Sequence, residues 1–519
     1  MNGAEALVRT FLANGVDTCF ANPGTSEMHF VAALDRFDGM RCVLGLFEGV
    51  ATGAADGYAR MADRPACTLL HLAPGMANGL ANIHNARKAG TPMVNVVGDH
   101  ATHHLRYDAP LTADVEAAAR PFSHWVRTAQ SAATVAADAA SAIAAALTPP
   151  GRIATLILPA DTAWTEAGAQ AGPAPLPPVP QRVRVPDAAV IEAARVLRSG
   201  EPVGLLIAGT ALRAAGTALA GRIAKATGAR LFAPTLEARI ERGAGRVHVD
   251  RIPYAVDAAQ AFLSGLRHLI LLGAPPPVGF FAYPGKPSLM APPGCATLAL
   301  AGSDGDLVQA LADLAEAVGA HNVPAPLEPS ELPEAPRGDV PVTHESMGRT
   351  LCALMPEGAI VVDEAVSGGL ALRTATRNAR PHDWLQLTGG AIGDGLPMAV
   401  GAAIACPGRK VVNLQADGSA MYTVQALWTM ARENLDVTTV LLNNRAYAIL
   451  QGELANVGAR NAGRKALDMM SLDRPDIDWA ALARSMGVES HTARTQDDFA
   501  RRFEAAMRGR GPKLIDVVL

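Results

Sequence analysis

Short apolar runs alternate with longer helical patterns along the whole chain. Strands are predicted for the apolar runs at residues 66–71, 93–97, 203–208, 269–273, 359–362, 410–414 and 437–442. Helical spacing is found around residues 3–15 and 48–62, and again after residues 416–419 through Tyr422, Ala426 and Trp428. Continuous apolar runs are typical of strands buried on both faces, and helices between them provide the crossovers of a parallel sheet. The pattern therefore predicts an α/β fold with parallel sheets.

Two proline-rich stretches interrupt this alternation. Residues 166–186 and 322–341 contain too many prolines to form a helix or a central strand, so we interpret both as linkers. They divide the 519 residues into predicted domains at 1–165, 187–321 and 342–519. A chain of this length also suggests about three domains.

The composition favours a globular protein that binds small molecules. Hydrophobic residues make up 49% of the chain, and 45 Lys and Arg against 49 Asp and Glu leave a net charge of -4. This balance gives no support to nucleic-acid binding, and no apolar run of about 18 residues indicates a membrane-spanning helix. The six cysteines are scattered along the chain without a C-x-x-C pair, which predicts buried thiols in a reducing, cytoplasmic setting.

In the third segment, an Asp and an Asn stand where two successive predicted strands end. Asp417 follows one strand and Asn444 follows the next, 27 residues later. Parallel strands bring such positions together at their carboxyl ends, where open α/β sheets bind ligands. With the Ala446 carbonyl these oxygens suit Mg²⁺, and Gly418 would let backbone N–H groups approach a phosphate. A simple turn followed by a loop explains the same residues equally well.

This stretch resembles the diphosphate-binding motif of thiamine diphosphate (ThDP) enzymes. The family motif is usually Gly-Asp-Gly followed at this distance by Asn-Asn, and here Ala416 stands in place of the first glycine. The resemblance implies a set of cofactor-binding residues, which are Asp417, Gly418, Ser419 and Asn444. The implied Mg²⁺ ligands are Asp417, Asn444 and the carbonyl of Ala446.

A ThDP enzyme also needs a carboxylate for the aminopyrimidine ring of the cofactor. Bonded to a ring nitrogen, such a glutamate helps to remove the C2 proton of the thiazolium. Glu48 stands among apolar and small residues, and residues 46–60 resemble the glutamate helix of ThDP-dependent decarboxylases and synthases. The resemblance implies that Glu48 binds the cofactor and acts in catalysis. Taken alone, the same residue is a first-turn glutamate favoured by the helix dipole.

Three further segments resemble this family. Residues 22–27 resemble an early Asn-Pro-Gly loop of benzoylformate decarboxylase and acetolactate synthase, which makes Thr25 a candidate catalytic residue. Residues 70–79 resemble the turn that carries the catalytic histidine of benzoylformate decarboxylase, which is His71 here. Residues 389–397 resemble the segment that holds the cofactor in its V shape.

The same resemblance assigns individual roles. The Gly390 carbonyl would bind the 4′-amino group, Ile392 would separate the two rings, and Ser367 would contact the diphosphate. An imidazole titrates near neutrality, so His71 is the candidate for proton transfer. A lone histidine at the end of a strand is also common as a purely structural residue.

The sequence defines the substrate side less closely. Benzoylformate decarboxylase uses a second histidine from its middle domain, but the matching residues 273–283 contain none. Phe280 or Phe281 would line that wall, which leaves room for a carboligase. Glu453 is equally well explained as an exposed helical charge. The candidate substrate contacts after the Asn-Asn loop are Ile449, Leu450 and Glu453.

The resemblance implies a specific architecture. The three domains would be a pyrimidine-binding domain, a Rossmann-like middle domain and a diphosphate-binding domain. The cofactor would lie between subunits of a homodimer or homotetramer. FAD, which acetolactate synthases carry in the middle domain, is not expected, because no Gly-x-Gly-x-x-Gly follows the first strand there.

The implied activity is that of a ThDP- and Mg²⁺-dependent 2-oxo acid decarboxylase or carboligase similar to acetolactate synthase. Its partners would be a small 2-oxo acid and, for carboligation, an aldehyde or ketone acceptor. Two alternatives stay open. One is a ThDP-dependent lyase of 2-hydroxy ketones or 2-hydroxyacyl thioesters, and the other is a non-catalytic ThDP-binding scaffold protein.

Overall fold

The computed structural model describes residues 1–168, 171–459 and 462–519. Their strands form three sheets of six, five and seven strands, with helices packed on the sheets. One strand pair in these sheets is antiparallel and all the others are parallel. The predicted α/β fold with parallel sheets is confirmed. Within the described residues, no helix has both the length and the apolar character needed to span a bilayer.

The first sheet is built from the N-terminal third of the chain. Its helices and strands are α1 Gly3–Ala13, β1 Thr18–Asn22, α2 Met28–Leu34, β2 Arg41–Leu44, α3 Glu48–Ala62, β3 Ala66–Leu70, α4 Leu72–Ala89, β4 Met93–Asp99, α5 Val115–Ala119, β5 Trp125–Thr128, α6 Val135–Leu147, β6 Ile153–Pro159 and α7 Ala160–Trp164. The strand order is β2-β1-β3-β4-β6-β5. The chain leaves β1 towards β2 on one side and resumes at β3 on the other, so the carboxyl ends of β1 and β3 form a topological switch point.

The two predicted linkers contain neither helix nor sheet strand where the structure describes them. Residues 169 and 170 of the first linker lie outside the described residues. The first linker is fastened to the first domain, because the Asn14 side-chain amide donates a hydrogen bond to the Ala174 carbonyl at 3.0 Å. The exact domain bounds stay a prediction.

The middle segment forms a five-stranded parallel sheet. Its elements are α8 Asp187–Leu197, β7 Val203–Ile207, α9 Ala214–Thr227, β8 Arg230–Ala233, β9 Arg239–Arg242, β10 Asp250–Arg251, α10 Val256–Leu263, β11 His268–Leu272, β12 Ala296–Ala301 and α11 Leu307–Ala317. The strand order is β10-β8-β7-β11-β12. Strand β9 is not part of this sheet.

The third sheet combines the C-terminal strands with β9. Its other elements are α12 His344–Leu354, β13 Ile360–Glu364, α13 Gly369–Ala375, β14 His382–Gln386, α14 Gly395–Ala405, β15 Val411–Ala416, α15 Asp417–Ala420, α16 Ala426–Arg432, β16 Val437–Asn443, α17 Ala448–Asn456, α18 Arg464–Asp468, α19 Trp479–Ser485, β17 Glu489–Ala493, α20 Gln496–Arg508 and β18 Lys513–Val518. The order is β17-β18-β16-β15-β13-β14-β9, with β9 antiparallel to β14. A second switch point lies between β13 and β15, whose chains continue to opposite sides.

Helix α3 is buried where the first and third domains meet, and it packs against α14. Both helices are rich in Gly and Ala, so their backbones come into contact. A Cβ added to Gly57 would lie 2.1 Å from the Met398 carbonyl oxygen, and one added to Gly401 would lie 1.8 Å from that of Ala54. One apolar core runs across this contact. The packing positions Glu48 at the start of α3 and the loop that precedes α14.

The thiols are less uniformly buried than predicted. Cys42 is exposed and Cys295 and Cys406 are half-buried, although all six cysteines are free. The reason for the exposure of Cys42 is its place on the edge strand β2. It lies in register with Cys19 of β1, which is in register with Cys67 of β3. The prediction of a buried thiol is therefore wrong for Cys42.

Candidate active site

The predicted site residues lie at the two topological switch points. In the first sheet, β1 is followed by residues 22–27 and β3 is followed by His71. In the third sheet, β13 is followed by Ser367 and β15 by Asp417. Crevices at such points are where open α/β sheets bind ligands.

His71 is held by a buried carboxylate. Its Nδ1 lies 2.8 Å from Oε2 of Glu27, which is 2% exposed. The Glu27 carboxylate also accepts hydrogen bonds from the Gly24 N–H at 2.7 Å and from the Ser26 hydroxyl at 2.6 Å. Because Glu27 acts as an acceptor towards these groups, we assign the proton to Nδ1 of His71. The other ring nitrogen, Nε2, is then the one available for proton transfer.

The loop after β1 approaches the histidine ring closely. A Cβ on Gly24 would lie 2.2 Å from Nδ1 of His71, so only glycine fits beside the ring. Thr25 is exposed, and the neighbouring side chains of Ser26 and Glu27 are the ones that reach His71. A catalytic role for Thr25 stays a prediction.

Glu48 begins α3 and is buried, with 7% of its surface exposed. The Asn78 side-chain amide donates a hydrogen bond to its Oε2 at 2.9 Å. Gly75 leaves space for this carboxylate, because a Cβ there would lie 2.8 Å from Oε1 of Glu48 and 3.3 Å from Cβ of His71. The predicted cofactor glutamate and the predicted proton-transfer histidine therefore flank the same glycine of α4.

The predicted metal ligands meet in the turn after β16. Asp417 is buried and accepts hydrogen bonds from the Gly418 N–H at 2.8 Å and from the Arg445 N–H at 2.6 Å. The Asn444 side chain accepts from the Ala446 N–H at 3.0 Å. Burial raises the pKa of Asp417, and a cation beside it would act in the opposite direction. A carboxylate held against a turn of amide and carbonyl oxygens fits Mg²⁺.

The turn after β15 combines small residues with polar groups. A Cβ on Gly418 would lie 2.5 Å from the Tyr447 ring, so the ring covers this glycine. The hydroxyl of Ser419 accepts a hydrogen bond from the Gln415 amide at 2.6 Å and donates one to the Ala416 carbonyl at 3.1 Å. The Gly418 N–H is already bonded to Asp417 and the Tyr447 ring lies over the glycine, so a diphosphate contact at Gly418 stays a prediction.

The loop of residues 389–395 is fastened from two sides. The Asn85 side chain of α4 donates to the Ala391 carbonyl at 2.8 Å and accepts from its N–H at 3.2 Å. The Thr423 hydroxyl donates to the Gly393 carbonyl at 2.8 Å. Thr423 lies in the break between α15 and α16, where the sequence had predicted an uninterrupted helix. The Thr423 hydroxyl bonds to Gly393 from this break.

Gly390 lies directly under an aromatic ring. Its φ of 79° is left-handed, and a Cβ there would lie 2.4 Å from Cζ of Phe280. Ile392 is half-buried two residues later. A predicted substrate residue of the middle segment therefore meets the predicted cofactor segment of the third.

Three non-glycine residues with left-handed backbone adjoin predicted site residues. Such a conformation costs on the order of 1–3 kcal/mol and is concentrated at functional sites. Ser367 itself is exposed in the short turn Val366–Gly368. The three residues are Leu72 after His71, Val366 before Ser367, and Arg445 between Asn444 and Ala446.

An aromatic wall from the middle segment faces α17. The ring of Phe280 lies 5.5 Å from that of Tyr254 and 5.0 Å from that of Phe281, measured between centroids. Burial and the neighbouring Glu453 carboxylate of α17 raise the pKa of Tyr283. The remaining predicted substrate residues on α17 are Ile449, which is half-buried, and Leu450, which is exposed.

The sequence did not identify the partners of Glu48 and His71. Asn78 and Glu27 both fall within segments that resemble the family, but they bond to residues 30 and 44 positions away. The available signal for Glu27 is that it is the one carboxylate of residues 22–27. In the described parts of the chain, no three His, Cys, Asp or Glu side chains are arranged to hold a metal ion. The proposed metal ligands accordingly include a single carboxylate.

Two sequence-family models match the chain. "Thiamine pyrophosphate enzyme, N-terminal TPP binding domain" matches residues 1–120, which include Glu48 and His71. "Thiamine pyrophosphate enzyme, C-terminal TPP binding domain" matches residues 368–517, which include Asp417. These matches support thiamine diphosphate as the cofactor.

Proteins of known sequence and structure resemble the whole chain. "Putative acetolactate synthase large subunit IlvX" of Mycobacterium tuberculosis is 53% identical over 521 residues, covering 100% of this chain and 99% of that protein. "Benzoylformate decarboxylase" of Pseudomonas aeruginosa is 30% identical over 535 residues, covering 97% and 96%. The solved thiamine diphosphate-dependent 4-hydroxybenzoylformate decarboxylase of Rhodococcus jostii RHA1 has the same fold, with a TM-score of 0.85 at 24% identity, covering 100% of this chain and 99% of its own. The resemblance seen in the motifs is confirmed, and the chain belongs to the thiamine pyrophosphate-dependent enzyme family.

Proposed function

We propose that this enzyme is a Mg²⁺- and ThDP-dependent decarboxylase or carboligase of 2-oxo acids. The observation that carries the proposal is the pairing of Glu48 and His71 on either side of Gly75, each held by its own hydrogen-bond partner. A carboxylate for the cofactor and an imidazole for the substrate are then available at one edge of the first sheet. The names of the two full-length relatives point to the same class of reaction.

ThDP supplies a carbon nucleophile and an electron sink, which together allow a 2-oxo acid to lose CO₂. The residues of this chain would bind it from two sides. Glu48, oriented by Asn78, would bind the aminopyrimidine ring. Asp417 and Asn444 would hold Mg²⁺ and, through it, the diphosphate. Gly418, Ser419 and Ser367 would contact the phosphate oxygens.

His71 would move a proton to or from the substrate. Its Nδ1 is engaged by Glu27, so Nε2 would exchange the proton. The fixed ring orientation favours a productive contact with a bound substrate, because no side-chain rotation is needed. Glu27 acts through His71 and is therefore a positioning residue.

The aromatic wall favours carboligation over simple aldehyde release. Phe280 covers Gly390, and residues 273–283 contain no histidine that could act as a second proton donor. The rings of Phe280 and Phe281 exclude water and carry no proton donor, so a carbonyl acceptor would compete well for the acyl group. We therefore propose an aldehyde or a second 2-oxo acid as the acceptor.

A substrate screen tests the reaction class. The protein is supplied with ThDP and Mg²⁺, and a panel of 2-oxo acids is added with and without aldehyde acceptors. We expect release of CO₂ from at least one 2-oxo acid and a 2-hydroxy ketone in the presence of an acceptor. Cleavage of 2-hydroxyacyl thioesters without any turnover of 2-oxo acids would replace the proposal with a lyase.

Glu48→Gln tests the role of the glutamate. The amide keeps the size of the side chain but cannot exchange a proton, so exchange of the cofactor's C2 proton is expected to slow by about 10²-fold or more. Exchange is followed by nuclear magnetic resonance after quenching, and Mg²⁺–ThDP binding is expected to persist. Equal exchange rates in the variant and the parent would remove Glu48 from catalysis.

A further inference from the structure

Glu364 is a buried carboxylate at the switch point of the third sheet that the proposed reaction does not use. It is the last residue of β13 and lies in register with Gln415 of β15. Its exposed fraction is 2%. A carboxylate in such a place must be satisfied by hydrogen bonds, because leaving it unpaired would cost too much free energy.

The Glu364 carboxylate holds the backbone at the start of α14. Oε1 accepts hydrogen bonds from the N–H groups of Gly393 at 2.7 Å and Asp394 at 3.2 Å. Oε2 accepts from the Gly395 N–H at 2.8 Å. Asp394, the residue that precedes α14, makes no capping bond with its own side chain. Glu364 therefore caps this helix from a neighbouring strand.

The same carboxylate is linked to the turn after β15. Oε2 of Glu364 also accepts a hydrogen bond from the Gln415 amide at 2.8 Å. That amide donates a second bond to the Ser419 hydroxyl at 2.6 Å. Gln415 is completely buried, and the Asn413 amide bonds to its side-chain oxygen at 3.3 Å. The side chain of Gln415, which connects Glu364 to Ser419, is therefore held by hydrogen bonds at both its amide nitrogen and its oxygen.

Three predicted cofactor-binding segments consequently converge on one side chain. Glu364 bonds directly to the loop that contains Gly390 and Ile392. Through Gln415 it reaches Ser419 of the diphosphate turn. Its own backbone continues within three residues to Ser367.

We propose that Glu364 is a positioning residue that fixes these three segments relative to one another and so preorganises the ThDP site. The proposal rests on the proposed function. A carboxylate is required here because four N–H donors converge on its two oxygens. A glutamine would present an NH₂ group to the donors of Gly395 and Gln415, and at least one of them would lose its acceptor.

Glu364→Gln tests the proposal through cofactor binding rather than turnover. Calorimetric titration of the cofactor-free protein with ThDP at fixed Mg²⁺ is expected to show a Kd at least about tenfold higher than in the parent, since charge-assisted hydrogen bonds are lost. At saturating ThDP, the KM for the 2-oxo acid is expected to change little. An unchanged Kd for ThDP would overturn the proposal.

Asp363→Asn is a matched control. Asp363 precedes Glu364 on β13 and is also a buried acceptor, bonded to the Trp384 ring N–H at 3.2 Å. The control is expected to lower the melting temperature without a comparable loss of ThDP affinity. Equal loss of affinity in both variants would show general damage to the sheet and would overturn the proposal.

A second variant keeps the test valid if Glu364→Gln does not fold. Gln415→Met preserves size and the three backbone bonds of Glu364, and it removes the link from Glu364 to Ser419 together with the bond that Gln415 accepts from Asn413. We expect a smaller rise in the Kd for ThDP, and no rise would contradict the proposal. A parent protein that binds no ThDP would refute the proposed function itself, whereas normal binding by the parent and by both variants would refute only the role of Glu364.

Discussion

A histidine with the proposed role of proton transfer needs one fixed tautomer, and the contact with Glu27 would provide this for His71. The carboxylate is buried, accepts from the Gly24 N–H and the Ser26 hydroxyl, and thereby directs an acceptor oxygen at Nδ1. The arrangement has the same logic as the acid that orients the histidine of a catalytic triad. It separates the task of holding the ring from the task of exchanging the proton.

Glu27→Gln is expected to reduce kcat about tenfold or more with little change in ThDP affinity. The amide weakens the bond to Nδ1 and allows the other tautomer, in which Nε2 carries the proton at the wrong stage of the reaction. Steady-state kinetics across pH measure the effect. Glu357→Gln, the same change at an exposed glutamate, serves as the control and is expected to leave kcat unchanged. Parent-like kcat in Glu27→Gln would make Glu27 a purely structural residue.

Local motifs single out candidate site residues but not the partners of those residues. Glu48, His71 and Asp417 each stand in a short pattern with a chemical meaning that the sequence displays directly. Asn78 and Glu364 act by contacts between segments that only the fold brings together. No spacing along the chain encodes such a contact.

At the level of secondary-structure elements, the contact of α3 with α14 depends on glycines. Gly401→Ala is expected to destabilise the protein by about 1–3 kcal/mol, because the added Cβ would lie 1.8 Å from the Ala54 carbonyl oxygen and force the helices apart. The melting temperature measures this. Gly408→Ala is the matched control, since no atom lies within 4 Å of the Cβ it would add. Equal melting temperatures for the two variants would contradict the tight packing.

Asp394 precedes α14, and its carboxyl group is expected to make the free energy of unfolding depend on pH. It is completely buried, and neither of its carboxylate oxygens has a hydrogen-bond partner within the described structure. Burial and the Asp56 carboxylate raise its pKa well above the usual value, Glu364 adds to this, and Arg60 opposes it. The folded chain therefore keeps a proton that the unfolded chain releases. The stability from this group is complete below about pH 4 and is lost as pH rises towards the folded pKa.

Asp394→Asn is expected to remove this loss, because an amide does not titrate. The melting temperature of the variant should exceed that of the parent by a margin that grows as pH rises above about 4. The corresponding difference in the free energy of unfolding has a limiting slope of about 1.4 kcal/mol per pH unit. Thermal unfolding at a series of pH values measures the margin. Asp38→Asn, at an exposed aspartate, is the control. A constant difference between Asp394→Asn and the parent would exclude the titration of Asp394.

Elements with strong apolar runs were predicted closely, and polar or interrupted ones were not. The run 437–442 corresponds to β16, and α3 has the predicted bounds. Strand β9 has the sequence Arg-Ile-Glu-Arg, which contains no apolar run. It is held in the sheet by pairing with β14, and its residues alternate between half-buried and buried positions. At the break after α15, which the helical pattern does not predict, Thr423 bonds to the distant Gly393 carbonyl.

For the whole molecule, exposed apolar side chains border the candidate site. They include Val366, Leu370, Met421, Tyr422 and Leu450. Exposed apolar residues grouped beside a site are typical of a surface that binds another protein chain. The sequence-based expectation of a homodimer or homotetramer stays a prediction, and these residues are where it is best tested.

Dilution is expected to reduce specific activity and bound ThDP together, because an assembly that shares its cofactor loses both when it dissociates. Leu370→Arg should shift this loss to higher protein concentration. Ile191→Arg, at an exposed apolar position of α8 in the middle segment, is the control. Sedimentation and activity measured over the same concentrations decide the matter, and full activity of a monomer would contradict the prediction.

The number of domains could be predicted from proline-rich stretches, but their packing could not. Arg60 of α3 shows the reason. Its guanidinium bonds to Asp56 on its own helix, to the Gln386 carbonyl of β14 at 2.6 Å and to the Ala238 carbonyl at 3.2 Å. A single side chain joins three segments, and nothing near residue 60 in the sequence indicates the two distant partners.

Strand β9 limits how the enzyme can open during turnover. Residues 239–242 pair with β14 in the third sheet, so the chain on both sides of β9 joins the middle segment to that sheet, in addition to the second linker. We expect movements that admit substrate to involve the exposed Phe280 and α17, none of whose residues is buried. The residues around the entrance of the site would then move during turnover, while the sheets that carry the site residues would keep their arrangement.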